Sequence, residues 1–551
     1  MKAVLVQLNY HIGNFERNVA RIESEVRKAE EAGAGLVIFS ELALTGYPPL
    51  DLLEYSSFIE ESRKALEKVA TFSRKTAILI GAPTLNPNPS GKKLYNSAYF
   101  LSDGRISRVF HKSLLPTYDI FDEYRYFEPN REFSLLEYGG MKMAITICED
   151  LWFDQPVENV FSNSRLYTQN PLEKLAALKP DLVINLAASP FSYLRQQIKT
   201  GIFTGNAKKF GLPILYVNQV GAQTELIFEG GSLAVNRNGG ITGALKLFAE
   251  DSLMIDLEEL CSGKMAEIPF RVPGQTELIH DALILGIRDY FGKTNFSRAT
   301  LGLSGGIDSA VTLVLAVRAL GAGNLHALLL PSKYSSGHSI TDARHLAENL
   351  GVAYDIISIQ EPFDTYLKAM EPLFHGMPED ITEENMQSRI RGNILMAYSN
   401  KFGHILLNTS NKSEAAVGYG TLYGDMAGGL SVLGDVYKTD VYRLADFINR
   451  KDEIIPVNIL GKPPSAELKP DQKDTDSLPD YKILDRILFA YIEQQKSGEE
   501  IIREGSDPVL THSILRMVNQ NEYKRYQTPP ILRISSKAFG VGRRMPLVAK
   551  Y

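Results

Sequence analysis

The stretch Leu301-Gly302-Leu303-Ser304-Gly305-Gly306-Ile307-Asp308-Ser309 constrains the fold of this chain more than any other. The apolar run from Ala299 to Leu303 has the length of a short buried strand. The turn Ser304-Gly305-Gly306 follows at once, and Ala310 to Leu320 is apolar and built of helix-permissive residues. Strand, glycine turn and helix in immediate succession point backbone N–H groups at a bound anion. The glycines let the backbone approach that anion with no Cβ in the way. Ser304 and Ser309 add hydroxyl donors, and the helix N-terminus favours negative charge. Two glycines alone would suggest only an ordinary tight turn; the whole string suggests a phosphate loop.

Asp308 narrows the chemistry. A carboxylate beside polyphosphate is repelled unless a cation lies between them, and Mg²⁺ held by a carboxylate and phosphate oxygens meets that need. The loop lacks the Gly-Lys-Ser/Thr ending of kinase-type phosphate loops. It resembles the Ser-Gly-Gly-x-Asp-Ser loop of the ATP pyrophosphatases. That resemblance implies binding of the β- and γ-phosphates, and pyrophosphate release after a carboxyl or carbonyl oxygen is adenylated. Gly302, Leu303, Ser304, Gly305, Gly306, Ile307, Asp308 and Ser309 are thus the candidate ATP-binding residues, and Asp308 a candidate metal ligand.

The chain has 551 residues, which by length alone suggests about three or four domains. Formal net charge is -6 and the basic residues are dispersed, which argues against nucleic acid as a partner. With two cysteines, Cys148 and Cys261, a disulfide framework is not expected, and a reducing cytoplasm fits. The opening Met1-Lys2-Ala3-Val4-Leu5-Val6-Gln7 alternates like a first strand rather than a signal peptide, and no apolar run is long enough to span a bilayer.

In the first half, Ala3 to Leu8 reads as a strand, and Asn14 as the N-cap of a helix reaching about Ala32, with Val19, Ile22, Val26 and Ala29 on one face. Strands are expected over Gly35–Phe39, Ala77–Gly81, Met143–Ile147, Asp181–Ala187, Leu212–Val220 and Ser232–Asn236, and a helix over Ser57–Lys75. Tyr95–Leu101 and Ile106–Phe110 flank Ser102-Asp103-Gly104-Arg105, a hairpin signal. Glu41, Lys112 and Cys148 each lie just past an apolar strand, and polar groups at strand ends in an α/β layer tend to share one site. Their chemistry is coherent. A thiol attacks an amide carbonyl as thiolate. A carboxylate at Glu41 takes its proton, passes it to leaving ammonia and then activates water. Lys112 stabilises the oxyanion. Read singly, each has a plainer role, a buried small hydrophobe for the thiol and solvated charges for the others.

Three strings change that balance: Phe39-Ser40-Glu41-Leu42-Ala43-Leu44-Thr45-Gly46-Tyr47, His111-Lys112-Ser113-Leu114-Leu115-Pro116 and Ile147-Cys148-Glu149-Asp150-Leu151-Trp152. They resemble the three motifs of the nitrilase superfamily, in that family's order. The resemblance implies an αββα sandwich with Glu41, Lys112 and Cys148 as amidase triad. Tyr118, Ser189 and Arg195 match the glutamine-contacting positions of its glutaminase domains, and Glu123 is a candidate for the extra glutamate near the lysine. Ala222 and Thr224 depart from the Gly and Asp expected there.

Residues 262–275, with Gly263, Pro269, Pro273 and Gly274, read as a linker between a domain at 1–261 and one at 276–551. A helix resumes near Thr276 with Ile279, Leu283, Ile287 and Tyr290 as its apolar face. Strands over Leu325–Leu330, Ala353–Ser358 and His404–Asn408, separated by helices, imply a doubly wound parallel sheet. Leu407-Asn408-Thr409-Ser410-Asn411-Lys412-Ser413-Glu414 follows a strand; Glu414 is placed to complete a Mg²⁺ shell with Asp308, and Thr409 to touch ATP. The same residues also read as a helix cap, with Ser410 or Asn411 capping and Glu414 at N3. Glycines 418, 420, 424, 428, 429 and 434 mark a close-packed loop around Tyr423. Arg389 and Arg391, two apart on a helix, are expected to send at most one side chain into a site. Residues 463–479 are rich in Pro, Lys and Asp and expected to be mobile.

The phosphate loop, the arginine helix, the 408–414 string and Thr421-Leu422-Tyr423-Gly424-Asp425-Met426-Ala427-Gly428-Gly429 together resemble the bacterial NAD⁺ synthetases, and the chain as a whole resembles the glutamine-dependent members of that family. The fold class implied is α/β, a nitrilase-like αββα sandwich followed by a doubly wound sheet like that of the adenine nucleotide α-hydrolases. The resemblance implies glutamine, ATP and deamido-NAD⁺ as substrates, with Mg²⁺. It assigns Thr409 and Lys438 to ATP and Asn385, Arg389, Glu414 and Lys524 to deamido-NAD⁺; residues 463–479 read equally as a segment that can close over the nucleotides and as a plain exposed loop. A homodimer or larger assembly and a protected ammonia passage are also expected. Two other readings stay open: the same chemistry on a different nucleotide or aspartate acceptor, and a non-catalytic nucleotide-binding protein with a degenerate amidase half.

Overall fold

The computed structural model describes residues 1–155, 165–470 and 472–549. The chain divides into two compact units, Met1–Pro273 and Gly274–Tyr551. The segment read as a linker begins where Gly263, with φ +76, ends helix Leu257–Ser262, and the next helix starts at Gln275. Part of it packs on the first unit: Asn236 Nδ2 donates to Glu267 Oε1 at 3.0 Å, and Ile268 N to Ile241 O at 2.8 Å.

The first unit is built on two six-stranded sheets. One runs, in spatial order, Asp251–Asp256, Lys2–Gln7, Leu36–Ile38, Ala77–Leu85, Leu94–Ser102 and Arg105–His111. The other runs Ile241–Ala244, Leu233–Val235, Ile214–Asn218, Leu182–Ala187, Met141–Ile147 and Leu136–Tyr138. In each, three parallel strands carry antiparallel flanks. The strand period of two sorts the residues. Ala3, Leu5, Leu36, Ile38 and Leu79 join Met143 and Ile145 in the core between the sheets. Val4, Val6, Val37 and Ile78 face outward onto Val19, Ile22 and Leu66 of the covering helices. Asn14 caps helix Phe15–Glu31 by accepting from Arg17 N, as its sequence suggests. The layers are αββα.

Several expectations need correction. The second helix is Ser56–Ala70 and stops short of Lys75. The Thr71 and Ser73 hydroxyls donate to Lys68 O and Ala70 O, each at 2.7 Å, and compete there with the helical ladder. The single strand expected over Leu212–Val220 is two, Ile214–Asn218 and Val220–Gln223; the second leaves the sheet to form a hairpin with Leu226–Glu229. Strand Asp251–Asp256, bounded by acids and carrying little β-branched character, was not evident from pattern, yet it pairs with Lys2–Gln7 along its whole length.

The second unit holds a five-stranded parallel sheet ordered Ala353–Ile356, Leu325–Leu329, Ala299–Gly302, Ile405–Asn408 and Leu430–Ser431. Its last strand is hidden in the glycine-rich stretch. The chain order reverses beside Ala299–Gly302, and ligand crevices of open α/β sheets form at such a switch point. Helices Tyr481–Ile492 and Pro508–Gln520 bury Leu484, Ile487, Leu488, Ile514 and Val518 in a separate apolar cluster. Among the described residues no helix is long and apolar enough to cross a membrane.

A tight contact supports the Glu41 turn: a Cβ on Gly81 would lie 2.2 Å from Leu42 N and 2.7 Å from the Glu41 carbonyl carbon. Gly81→Ala should destabilise the first unit by about 3 kcal/mol, the upper range for overpacking. Gly201→Ala, with nothing within 4 Å of the added Cβ on helix Arg195–Phe210, should change stability by no more than about 1 kcal/mol, and in the stabilising direction. Denaturant unfolding of the two variants checks the contrast.

Candidate active sites

Glu41 follows strand Leu36–Ile38, Lys112 follows Arg105–His111, and Cys148 follows Met141–Ile147, so the first two come from one sheet and the thiol from the other. All three are buried. Lys112 Nζ lies 2.7 Å from Glu41 Oε1 and 2.9 Å from Glu123 Oε1. Glu41 also accepts from Asn96 Nδ2 at 2.7 Å and from Ala188 N at 2.9 Å, and Tyr47 Oη donates to Glu123 at 2.8 Å. Cys148 opens the single turn Cys148–Leu151 with φ +43, a left-handed conformation that is rare outside glycine and costs about 1–3 kcal/mol.

Electrostatics ties these groups together. Burial pushes the Cys148 thiol well up, Glu41 adds to that, and the Lys112 ammonium opposes it. Burial works against the charge on Lys112, but Glu123 and Glu41 outweigh it and hold the ammonium well above its usual value. Glu123 is pushed up to about 7 by burial, with Lys112 pulling down and Glu41 pushing up.

Beside the thiol, Glu149 Oε1 accepts from Tyr118 Oη at 2.9 Å, Tyr167 Oη at 2.8 Å and Gln155 Nε2 at 3.2 Å. Arg195 opens helix Arg195–Phe210, and its charge acts on Tyr118 and Glu149. Ser189 N donates to Asn218 Oδ1 at 2.9 Å, next to the Ala188 amide that binds Glu41. Seven residues chosen from sequence therefore gather here, Glu123 among them beside Lys112. Glu149, Asn96, Tyr47 and Tyr167 were not singled out. Glu149 stands inside a quoted string and carried a signal; Asn96, on a hairpin strand, carried none.

The second unit has a cavity of about 1060 Å³ lined by the whole phosphate loop together with Asn385, Arg389, Thr409, Glu414, Lys438 and Lys524. Gly305 has φ +79, and a Cβ there would lie 2.3 Å from Ser339 O. The loop hydroxyls, expected as phosphate donors, are also engaged within the loop: Ser309 Oγ donates to Gly306 O at 3.0 Å, and Gly306 N to Ser304 Oγ at 3.2 Å. Asp308 accepts from Lys438 Nζ and, at 2.9 Å, from Asn411 Nδ2. Asn411 caps helix Lys412–Val417 in a capping box with Glu414, so the cap reading of that string holds, and Glu414 lines the cavity as well. Lys438 Nζ also lies 3.4 Å from Glu414 Oε1. Burial pushes the Glu414 carboxyl up to about 8, Lys438 opposes, and Asp308 and Asp474 add to the rise.

Arg389 and Arg391 both reach the cavity, contrary to the expectation of one. Arg389 Nε donates to Leu422 O at 3.2 Å and Arg391 Nε to Leu330 O at 2.9 Å. The cavity wraps helix Ile381–Phe402 from both sides, so opposed side chains both find its wall. Lys524 Nζ is held by Gly418 O and Gly420 O at 2.7 and 2.9 Å, and Asn385 Oδ1 accepts from Thr421 Oγ1 at 2.7 Å. The glycine-rich loop is close-packed: a Cβ on Gly424 would lie 2.4 Å from Ser388 Oγ. The segment expected to be mobile is tied to the cavity wall. Gln387 Nε2 donates to Leu468 O at 2.9 Å, Gln472 Nε2 to Glu384 at 3.0 Å, and Ser336 Oγ to Glu467 at 3.0 Å; position 471 lies outside the described residues.

Glu123 yields a pH prediction. Its carboxyl is raised in the folded state from an ordinary value near 4.5, so the native state holds that proton more tightly than the unfolded chain. Its contribution to stability is greatest below pH 4.5 and is lost as pH rises to about 7. Glu123→Gln should flatten the fall in melting temperature of the first unit between pH 5 and pH 8, as read by calorimetry.

The carbon-nitrogen hydrolase family model matches residues 2–262, and the NAD synthase model residues 279–528. The glutamine-dependent NAD(+) synthetase of Synechocystis is 46% identical, covering 99% of this chain and 98% of that protein. The enzyme of the same name from Thermotoga maritima is 40% identical, covering 100% and 99%. A solved structure of the Acinetobacter baumannii glutamine-dependent NAD+ synthetase, in complex with ADP, superposes with a TM-score of 0.77 at 37% identity, covering 99% of this chain and 98% of that one. With relatives of this identity along its full length, the chain belongs to the glutamine-dependent NAD(+) synthetases, a family of enzymes.

Proposed function

We propose that this chain uses ATP and glutamine to convert deamido-NAD⁺ into NAD⁺ through an adenylated intermediate, releasing AMP, pyrophosphate and glutamate. The observation that carries the reading is the Glu41–Lys112–Glu123 cluster under Cys148, on the same chain as a phosphate-loop cavity. Residues 1–261 form the glutaminase domain, 262–275 the linker and 276–551 the synthetase domain.

At the first site the buried thiol rests protonated, so attack needs a base in the same step. Glu41 takes the proton as sulfur bonds to the γ-carbonyl carbon of glutamine. Lys112, held cationic by two carboxylates, donates to the oxyanion. The C–N bond breaks as Glu41 returns the proton to ammonia, and water activated by Glu41 then hydrolyses the thioester. Arg195 pairs with the α-carboxylate, while Glu149, held through one oxygen by three donors, offers the other to the α-ammonium. Tyr118 and Ser189 complete the wall.

At the second site Gly302 to Ser309, Thr409 and Lys438 hold ATP, and Asn385, Arg389, Glu414 and Lys524 hold deamido-NAD⁺. The ADP bound to the Acinetobacter relative supports the nucleotide assignment. A carboxylate oxygen of deamido-NAD⁺ attacks the α-phosphorus, pyrophosphate leaves, and ammonia displaces AMP. Two carboxylates, Asp308 and Glu414, reach the Lys438 ammonium and Asp474 adds its charge nearby, a donor set that suits Mg²⁺ shared with phosphate oxygens. Asp308 and Glu414 would hold the ion, which would supply positive charge for the departing pyrophosphate.

Deamido-NAD⁺ labelled with ¹⁸O in its carboxylate tests the adenylation step. One label should appear in AMP; unlabelled AMP would remove the intermediate. Arg195→Leu should raise the KM for glutamine about thirtyfold, as expected for losing a charged hydrogen bond of about 2 kcal/mol, and leave ammonium-driven synthesis unchanged.

A further inference from the structure

Asp150 is a buried carboxylate that the chemistry above does not use. Its oxygens are taken up by backbone amides. Oδ1 accepts from Ser113 N at 2.9 Å and Leu114 N at 2.8 Å, and Oδ2 accepts from Ile147 N at 3.0 Å. The places of those amides matter. Ser113 and Leu114 immediately follow Lys112, and Ile147 immediately precedes Cys148. Lys112 ends an edge strand of one sheet, and Cys148 ends a strand of the other. One side chain therefore bridges the two sheets at the end that carries the reactive groups. Hydrogen bonds to an ionised acceptor are roughly twice as strong as neutral ones, so the bridge is stiff. Burial pushes the carboxyl up to about 6 while the three amides pull it down, which leaves it ionised at neutral pH.

We propose that Asp150 is a positioning residue: it sets the distance between the Lys112 ammonium and the Cys148 thiol by tying the two sheets together through three backbone amides. The proposal rests on the reading of Cys148 as nucleophile and Lys112 as its cation. The thiol is faced by the carboxyls of Glu41, Glu123 and Glu149, by the Lys112 ammonium, by the Lys199 amine, which burial pulls down to about 7, and by the hydroxyls of Tyr47, Tyr118 and Tyr216. With three carboxyls so near, the thiolate depends on Lys112 staying close. An asparagine at 150 has one acceptor oxygen and one NH₂ group, so one end of the bridge would set N–H against N–H. The sheets would part at that end, and the thiol would become harder to ionise.

The test is the pH dependence of Cys148 alkylation by iodoacetamide in the full chain, read by peptide mass spectrometry so that Cys261 is counted separately. Asp150→Asn should move the midpoint up by about one pH unit, a tenfold loss of thiolate at a given pH. Glutamine-driven turnover should fall in step, while ammonium-driven synthesis is kept. Lys112→Met should move the midpoint in the same direction. An unmoved midpoint in Asp150→Asn beside a moved one in Lys112→Met overturns the role of Asp150 alone. An unmoved midpoint in Lys112→Met overturns the underlying reading of the site. Should Asp150→Asn fail to fold, Asp150→Glu keeps the charge on a longer arm; a folded Glu variant with an alkaline shift supports the proposal, and one with the wild-type midpoint overturns it.

Discussion

The first unit depends on a charge that has no contact with water. Lys112 is buried between Glu41 and Glu123, and removing the lysine would strand two carboxylates in a medium that solvates them poorly. Such a cluster contributes little net stability compared with apolar packing of the same volume. What it provides is position and a fixed charge. Two carboxylates keep the ammonium protonated, and the ammonium opposes, without cancelling, the burial that holds the thiol protonated. The surrounding fold serves this arrangement. Two sheets supply the residues from opposite sides, Gly81 lets the backbone of the Glu41 turn pass close by, and Asn96 and Ala188 N fix the orientation of the Glu41 carboxylate.

The second unit solves a related problem with the opposite sign. Around the phosphate loop the surplus is negative: Asp308 and Glu414 share Lys438, burial raises the Glu414 carboxyl, and Asp308 and Asp474 add to the rise. An acidic cluster is a poor host for polyphosphate by itself and a good one for a divalent cation accompanied by polyphosphate. The loop meets that need with a backbone that carries no bulky side chains at Gly305 and Gly306. Its serines brace it internally, and Gly305 passes within van der Waals reach of Ser339 O, where no side chain fits.

Much of this was legible in the sequence because short-range signals carry it. The Asn14 cap, the Asp103-Gly104 hairpin and the strand–glycine–helix unit at 299–320 each depend on neighbouring residues alone. The reactive residues were legible because each sits at a strand end inside a recognisable string. What was missed depends on distant partners. Strand Asp251–Asp256 exists because Lys2–Gln7 presents an open edge nearly 250 residues earlier in the chain. The 463–479 segment has a composition typical of mobile loops, while Leu468, Gln472 and Glu467 within it hydrogen-bond Gln387, Glu384 and Ser336 far away in the chain. Both arginines of the 389–391 pair reach the cavity because loops from two other parts of the unit enclose their helix. Asn96 and Asp150 act on groups that periodicity does not connect to them.

In the proposed function two chemistries are divided between the two halves of one chain, with ammonia made at Cys148 and consumed at the phosphate-loop cavity. The most direct measurement is NAD⁺ formation from deamido-NAD⁺ and Mg·ATP by Cys148→Ala, with either glutamine or ammonium as nitrogen source. The expected outcome is no product from glutamine and a wild-type rate from ammonium. Product from glutamine, or none from ammonium in a folded variant, would contradict it.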